Sequence, residues 1–204
     1  MFKKFDPSHD VSTSTQVKAS VQRALKSQLL QHHSNITEEM VDALMPKKSP
    51  LVQYKVGSHL MLYCRRIEHL NEDGEEERSP TDEPVLYQHR DGPLLPTLKF
   101  VHHYPTMAFT QVTVDKGAIP FLLGGANVMC PGLTNPGGVL PPDGVEKDAN
   151  GFDKPGLEKG DGVVIYAEGK EYALAVGVMT MSSEEVYVDG NWGPYGHLPT
   201  KRLG

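Results

Sequence analysis

The sequence has little cysteine, little tryptophan and no long apolar segment, and each shortage excludes a class of protein. Its 204 residues include two cysteines, Cys64 and Cys130, and one tryptophan. Two cysteines cannot form a disulfide framework or a four-cysteine zinc site, so we expect a reducing compartment. No apolar run approaches the roughly 18 residues that a membrane helix needs, and the first residues lack the apolar stretch of a signal peptide. These absences predict a soluble, cytoplasmic protein with no membrane partner.

Glycine and proline, by contrast, are plentiful. The chain has 20 glycines and 16 prolines, well above the roughly 12% that the two residue types contribute on average. This composition predicts many turns and short strands rather than a helical bundle. The apolar fraction of 38% is sufficient to bury a core, and the length suits one ordinary domain or two small ones.

Charge is distributed unevenly along the chain. The net charge is −6, but the segment 68–83 alone carries eight acidic residues and one arginine, and we interpret this segment as a solvated loop joining two strands. Without it, the rest of residues 1–98 has a net charge of +5. The sequence therefore predicts a basic face in the N-terminal half that phosphate groups would attract. Its candidate residues are Lys3, Lys4, Lys18, Arg23, Lys26, Lys47 and Lys48.

Apolar spacing predicts mixed structure in the N-terminal half. Val17, Val21, Leu25 and Leu29 recur every four residues and predict a helix over 14–31, with Ser12, Thr13 or Ser14 as its cap. A second helix is predicted to begin after Thr37, a good capping residue. Strands are predicted at 51–56, 59–67 and 85–89, followed by a short helix over 96–105.

The C-terminal half reads as many short strands with one or two helical turns. We expect a strand at 111–115, a short helix at 116–123, and a strand at 126–130 that ends at Pro131. Residues 134–161 are predicted to be mostly loop. A hairpin is predicted over 162–179 with its turn at Gly169, and a last short hairpin over 186–192. This pattern indicates a small, closed or nearly closed barrel.

Residue types that carry catalysis or bind metal do not form a recognisable pattern. The paired histidines are sequence neighbours, which do not converge on one metal, and no His-Glu-x-x-His pattern occurs. Neither cysteine lies in a setting that favours a thiolate, and no Gly-x-Ser-x-Gly turn or phosphate-binding loop is present. We therefore expect no catalytic residue, no metal and no cofactor.

The segment 114–132 differs from the rest because a double glycine, Gly124-Gly125, lies between a predicted helix and a predicted strand. Glycines lack side chains, so a phosphate or a splayed nucleotide could approach the backbone N–H groups there. Alternatively, these glycines only form tight corners of a barrel. The residues alone leave both interpretations open.

The same segment resembles the PUA domain, a small RNA-binding pseudo-barrel. The resemblance rests on Gly125-Ala126-x-Val128-Met129-x-Pro131-Gly132 and on two later strings, Gly160-Asp161-x-Val163-Val164 and Ala173-x-Ala175-Val176-Gly177. More widely, the chain resembles the malignant-T-cell-amplified-sequence family of translation factors. That likeness covers nearly the whole chain, from Met1-Phe2-Lys3-Lys4-Phe5-Asp6 to Ala167-Glu168-Gly169-Lys170, and its most specific string is Asn127-x-Met129-Cys130-Pro131-Gly132-Leu133-Thr134.

The resemblance implies an α+β protein with two domains and no enzymatic activity. Residues 1–95 would form an N-terminal mixed α/β domain and residues 96–204 a PUA-type β pseudo-barrel, with the boundary at about 93–110. The implied function is binding of the small ribosomal subunit, with tRNA or mRNA on it, together with a partner like density-regulated protein. The pair would act in reinitiation and in recycling of post-termination subunits. The alternative is an RNA-binding accessory module of an RNA-modification system.

Carried over position by position, the resemblance also implies an RNA-binding face. Its residues would be Lys116, Gly124, Gly125, Ala126, Asn127, Pro131, Gly132, Gly169 and Lys170.

Overall fold

The computed structural model describes residues 6–33, 36–46, 51–67, 81–105, 109–141 and 156–190. The chain divides into two units, Lys3–Ala108 and a second that includes Phe109–Gly204, and each is described by itself. Lys3, Lys4, Lys47 and Lys48 of the predicted basic face lie outside the described residues.

An antiparallel sheet forms the centre of the N-terminal unit. The order of its strands in the sheet is the same as their order in the chain. These strands are β1 (Val11–Gln16), β2 (Leu51–Val56), β3 (Leu60–Ile67), β4 (Thr81–His89) and β5 (Leu94–Pro96). The helices are α1 (Pro7–Asp10), α2 (Ala19–His32), α3 (Glu38–Leu44) and α4 (Leu98–His103).

Helices α2 and α3 supply apolar side chains to the core of this unit. Leu25 and Leu29 on α2 are buried, as the four-residue spacing predicts. The Thr37 hydroxyl accepts a hydrogen bond from the Met40 N–H (3.3 Å), which confirms the predicted cap of α3. The imidazole of buried His33 donates from Nε2 to the carbonyl oxygen of Leu94 (3.2 Å) and so connects the end of α2 to β5.

The predicted start of the first helix at residue 14 is wrong. Residues 11–16 pair with β2 as the edge strand β1, and α2 begins at Ala19 without a side-chain cap. Val17 is buried before the helix starts, and Val21 is exposed on it. The β-branched and hydroxyl residues of this segment favour a strand, and pairing with β2 overrides the helical spacing.

The end of the predicted acidic loop belongs to a strand. Strand β4 begins at Thr81, which pairs with Ile67, so Asp82 and Glu83 are strand residues. Opposite charges on β3 explain this, because Arg66 binds Asp82 and Arg65 binds Glu83. The rest of the predicted loop, residues 68–80, lies outside the described residues.

Helix α4 packs on β4 and belongs to the N-terminal unit. Its cap is Thr97, whose hydroxyl accepts from the Phe100 N–H (3.2 Å) and donates to the Pro84 carbonyl oxygen (2.7 Å). The predicted helix over 96–105 therefore begins two residues late, at Leu98. Pro96 is not part of it and ends β5. The two units divide between Ala108 and Phe109. The predicted boundary region is residues 93–110.

The described strands of the C-terminal unit form a three-stranded sheet in the order β6-β7-β8. They are β6 (Gln111–Val114), β7 (Gly162–Ala167) and β8 (Ala175–Val178), with β6 and β7 parallel and β7 and β8 antiparallel. A 3-10 helix (Lys116–Ala118) continues into α5 (Ile119–Leu123), and α6 (Cys130–Thr134) and α7 (Ser183–Gly190) follow. Val114, Val163 and Val186 lie in one buried core that these elements share.

Two predictions for this unit are wrong, the strand over 126–130 and the hairpin over 186–192. Residues 126–129 have no regular structure, and α6 begins at Cys130 because Pro131 fits the first turn of a helix, where no N–H is needed. The predicted hairpin over 186–192 is instead α7 as far as Gly190, and residues 191 and 192 lie outside the described residues. The Ser182 hydroxyl accepts from the Glu185 N–H (3.2 Å) at the start of this helix. The hairpin over 162–179 is confirmed, with β8 beginning only at Ala175.

Candidate nucleic-acid interface

The double glycine lies directly after α5 and folds back over the end of that helix. Three backbone N–H groups donate to α5 carbonyl oxygens: Gly124 to Pro120 (3.0 Å), Gly125 to Leu122 (3.0 Å) and Ala126 to Phe121 (2.9 Å). Gly125 has a φ of +84°, which residues with a Cβ rarely adopt. A Cβ built at Gly125 would meet no atom within 4 Å, so the space beside this backbone is open.

Asp115 holds the segments on either side of the double glycine in place. One oxygen of its carboxylate accepts from the Ala118 N–H (2.9 Å) and the other from the Asn135 side-chain amide (3.1 Å). Its own N–H donates to the Gly132 carbonyl oxygen (2.8 Å). Sequence reasoning missed both Asp115 and Asn135, although an aspartate immediately before a helix is a capping signal.

Pro131 and Gly132 differ in their exposure. Pro131 is exposed at the first turn of α6, whereas Gly132 is buried. A Cβ at Gly132 would lie 3.4 Å from the Ala118 Cβ and 3.9 Å from the Val128 Cγ1. Gly132 therefore allows close packing beneath the surface, and Pro131, Ala126 and Asn127 form part of the surface itself.

The turn between β7 and β8 lies beside Lys116. Gly169 has a φ of +68°, and the Cβ that it lacks would be 3.8 Å from the Lys116 Cε. The Lys116 ammonium lies 3.7 Å from the Glu168 carboxylate, and its side chain is 66% exposed. Lys170 follows in the turn and is exposed. The structure thus brings Lys116 beside the turn that contains Gly169 and Lys170, which is distant from it in sequence.

An apolar cavity of about 140 Å³ lies between the segment after the double glycine and β8. Ala126, Asn127 and Val128 line one side, and Val176, Gly177 and Met179 line the other. Asn127 is the polar residue among these six. An exposed main chain without side chains and an apolar recess can together accommodate the sugar and base of a nucleotide. The exposed Lys116 can contact a phosphate.

The described residues of the predicted basic face lie on α2 or just before it. Lys18 and Arg23 are exposed, whereas Lys26 forms an ion pair with Asp42 of α3. A cavity of about 560 Å³ lies between α2 and α3, and Arg23, Lys26 and Asp42 are among its lining residues. Lys18 and Arg23 are therefore better placed for phosphate groups than Lys26.

The cysteines are not arranged for catalysis. Both are buried, and burial together with the charge of Asp82 raises the pKa of Cys64 to about 12. In the part of the chain that the structure describes, no three His, Cys, Asp or Glu side chains gather as a metal site requires. None of the described helices combines the length and apolarity needed to cross a membrane.

Comparison with known proteins agrees with the two units. Residues 5–105 match the Pre-PUA-like domain and residues 110–188 match the PUA domain. Translation machinery-associated protein 20 of Schizosaccharomyces pombe is 42% identical over 186 residues, which cover 91% of this chain and 86% of that protein. The malignant T-cell-amplified sequence 1 homolog of Drosophila melanogaster is 39% identical over the same shares.

Solved structures show the same fold. A hypothetical protein of Pyrococcus horikoshii superposes with a TM-score of 0.57 at 18% identity, covering 94% of each chain. A PUA domain of Aeropyrum pernix gives a TM-score of 0.52 at 20% identity, covering 94% of this chain and 82% of that one. The predicted α+β class, with an N-terminal mixed domain followed by a PUA domain, is confirmed.

Proposed function

Because the chain belongs to the family of translation machinery-associated protein 20 and the malignant T-cell-amplified sequence proteins, we propose that it is a non-enzymatic, RNA-binding translation factor. Its target is the small ribosomal subunit, with tRNA or mRNA bound there. It acts in the cytoplasm with a partner like density-regulated protein, in reinitiation and in recycling of post-termination subunits. Family membership over nearly the whole chain and the PUA domain support this proposal.

The C-terminal unit contributes an RNA-binding face around the double glycine. The observation that carries this part is the exposed backbone at Gly124–Ala126, with open space at Gly125. Lys116 is exposed at the start of the same run of helix. The N–H groups of Gly124, Gly125 and Ala126 already donate to α5 carbonyl oxygens, so they are not phosphate ligands. The missing glycine side chains instead let a nucleotide approach this main chain closely. The proposed face comprises Lys116, Gly124, Gly125, Ala126, Asn127, Pro131, Gly169 and Lys170, with Gly132 as the packing residue beneath it.

The N-terminal unit contributes a basic face that attracts ribosomal RNA. Among the described residues it consists of Lys18 and Arg23, which are exposed, and Lys26, whose charge is balanced by Asp42. Lys3, Lys4, Lys47 and Lys48 belong to the same proposal on their sequence alone. Each phosphate that such a face neutralises releases counterions, so binding falls as salt rises.

Cosedimentation with isolated small ribosomal subunits, with and without density-regulated protein, tests this function. We expect the wild-type protein to pellet with the subunits, and the double variant Lys18→Glu, Arg23→Glu to pellet much less. Two lost phosphate contacts reduce the log–log salt slope by about 2. The control is Lys99→Glu, which reverses an exposed charge on α4 outside the proposed face.

The outcomes separate the parts of the proposal. A wild-type protein that fails to bind subunits under every condition contradicts the proposed function. A double variant that binds like the wild type, with the same salt slope, contradicts the N-terminal basic face only.

A further inference from the structure

In the part of the C-terminal unit that the structure describes, the proposed RNA-binding face has too little positive charge for phosphate contacts alone to bind RNA tightly. Within residues 109–141 and 156–190, the cations are Lys116, Lys159 and Lys170, against eight aspartates and glutamates. Lys116 also faces the Glu168 carboxylate at 3.7 Å. If this unit binds RNA, an interaction other than charge must supply much of the affinity.

Helix α5 presents large apolar side chains to solvent beside the double glycine. Phe121 is 69% exposed and Leu123 is 54% exposed. Ile119 and Leu122 of the same helix pack against the core of the unit, so the helix is anchored without these two residues. An exposed phenylalanine with no part in the core is the kind of feature that marks a binding surface.

Phe121 is tied to the proposed RNA-binding face by the backbone. Its carbonyl oxygen accepts the Ala126 N–H (2.9 Å), which fixes residues 124–126 over its turn of the helix. The space beside Gly125 is open. Lys116 begins the same run of helix and lies roughly 9 Å from Phe121 along the axis, given the rise per residue of 3-10 and α-helices.

We propose that Phe121 stacks on an unpaired base of the bound RNA. This inference rests on the proposed RNA binding and adds the class of RNA, a single-stranded segment or end. Aromatic side chains bind unstacked bases by their faces, and this interaction does not depend on charge. A duplex cannot use the ring, because its bases are already paired and stacked.

A short oligoadenylate and its duplex with oligouridylate are the probes. We expect the wild-type protein to bind the single strand more tightly than the duplex, with a log–log salt slope no steeper than about −1.4 for two lysine–phosphate contacts. Phe121→Ala should weaken binding of the single strand by about tenfold, and Phe121→Tyr should restore it. Leu123→Ala is the matched control, because it removes a neighbouring exposed apolar side chain that cannot stack.

Fluorescence gives a readout that a structural role would not change. In Phe121→Trp, the new indole should be quenched when oligoadenylate is added, because it stacks on adenine. The wild-type protein, whose tryptophan is Trp192, gives the baseline for this measurement. Melting temperatures of all variants should match the wild type, since Phe121 is largely exposed.

Failure of this inference differs from failure of the proposed function. If the wild-type protein binds neither subunits nor oligoadenylate, the proposed function itself is wrong. If it binds subunits but Phe121→Ala leaves single-strand binding unchanged, or no quenching occurs in Phe121→Trp, the stacking inference is wrong. Equal losses in Phe121→Ala and Leu123→Ala also contradict stacking, since they indicate an apolar protein-docking surface.

Discussion

Glu83 illustrates how one buried charge connects three elements of the N-terminal unit. It is 5% exposed on β4. One carboxylate oxygen accepts from Arg65 of β3 (2.7 Å) and the other from His103 of α4 (3.0 Å). Arg65 also donates to the Tyr104 hydroxyl (2.7 Å) just after α4. The Glu83 carboxylate therefore holds the end of α4 against the sheet.

The pKa of Glu83 gives this arrangement a pH dependence. Burial works to raise the pKa, but hydrogen bonds from His103 and Arg65 outweigh it and hold the pKa below the ordinary 4.5. As the pH falls, the unfolded chain binds the proton first, so the stability that the charge contributes is complete above pH 4.5 and is lost below it.

Glu83→Gln should therefore lower the free energy of unfolding by about 3 kcal/mol at neutral pH, because it leaves Arg65 without its charged partner. The difference from the wild type should shrink as the pH falls through the pKa of the folded protein. Urea denaturation at several pH values measures both effects. Glu39→Gln, at an exposed position of α3, is the control. A difference that stays constant with pH would contradict the assigned role of the carboxylate charge.

Ala126→Glu tests the proposed RNA-binding face at a single position. Ala126 is exposed and already carries a Cβ, so the variant adds a charge without backbone strain. We expect about tenfold weaker binding to small subunits, or about 1.4 kcal/mol, because the carboxylate repels phosphate. The melting temperature should change by no more than a few degrees.

Val188→Glu introduces the same charge at an exposed position of α7 and serves as the control for Ala126→Glu. Equal effects of the two substitutions on binding would show that only the overall charge matters. Normal binding by Ala126→Glu would place the RNA-binding face elsewhere.

The secondary-structure predictions were correct where the local sequence signals and the tertiary pairing favour the same structure. Thr37 caps α3 because its hydroxyl reaches the Met40 N–H, an interaction within four residues that sequence alone specifies. The helix predicted to start at residue 14 was wrong because residues 11–16 pair with β2. That strand is distant in sequence, and no local pattern identifies it as the partner. The strand predicted over 126–130 was wrong because Pro131 is compatible both with the end of a strand and with the first turn of a helix. Here it lies in the first turn of α6.

The candidate site could be predicted as a segment but not as a surface. The sequence singled out the glycines because they lack a side chain. At Gly125 and Gly169 the backbone has a positive φ, which explains why glycine occupies these positions. The exposure of Phe121 was not predictable, because in a short apolar helix the spacing does not reveal which residues face the core. Gly169 lies close to Lys116 because the turn between β7 and β8 packs beside the 3-10 helix that begins at Lys116. The spacing of residues in the sequence does not predict this packing.

The connection between β3 and β4 gives a prediction about an element boundary. Ile67 pairs with Thr81, so residues 68–80 can be replaced by a two-residue Asn-Gly turn that closes the hairpin. We expect this deletion to raise the free energy of unfolding by no more than about 2 kcal/mol, since shortening a loop changes its closure entropy only logarithmically.

Extending the same deletion to residue 83 provides the matched comparison. It also removes Asp82 and Glu83, which bind Arg66 and Arg65, and should destabilise the protein, unlike the shorter deletion. Thermal melting of both variants distinguishes them. Equal melting temperatures would show that these ion pairs contribute nothing measurable.

At the scale of the whole molecule, the two units differ in how far apart in sequence their paired strands are. In the N-terminal unit, each strand of the sheet pairs with its neighbours in the chain. In the C-terminal unit, β6 is parallel to β7, and the chain from Val114 to Gly162 lies between them. Pairing of these two strands requires closure of a long loop, which slows folding.

The parallel pair has a consequence for the protein as it is synthesised. A growing chain completes the N-terminal sheet early, whereas β6 leaves the ribosome long before Gly162–Ala167, its partner in the sheet, has been made. Chains that end at residue 155 and carry a linker long enough to clear the ribosomal tunnel should therefore contain a folded N-terminal unit and an unfolded C-terminal one. With the same linker after residue 190, both units should fold. Limited proteolysis of stalled nascent chains measures this order, and protection of residues 109–141 in the shorter chain would contradict it. Until β7 emerges, the apolar residues of β6 and α5 have no core to enter, so the nascent C-terminal unit stays exposed to aggregation and to chaperone binding for longer than the N-terminal one.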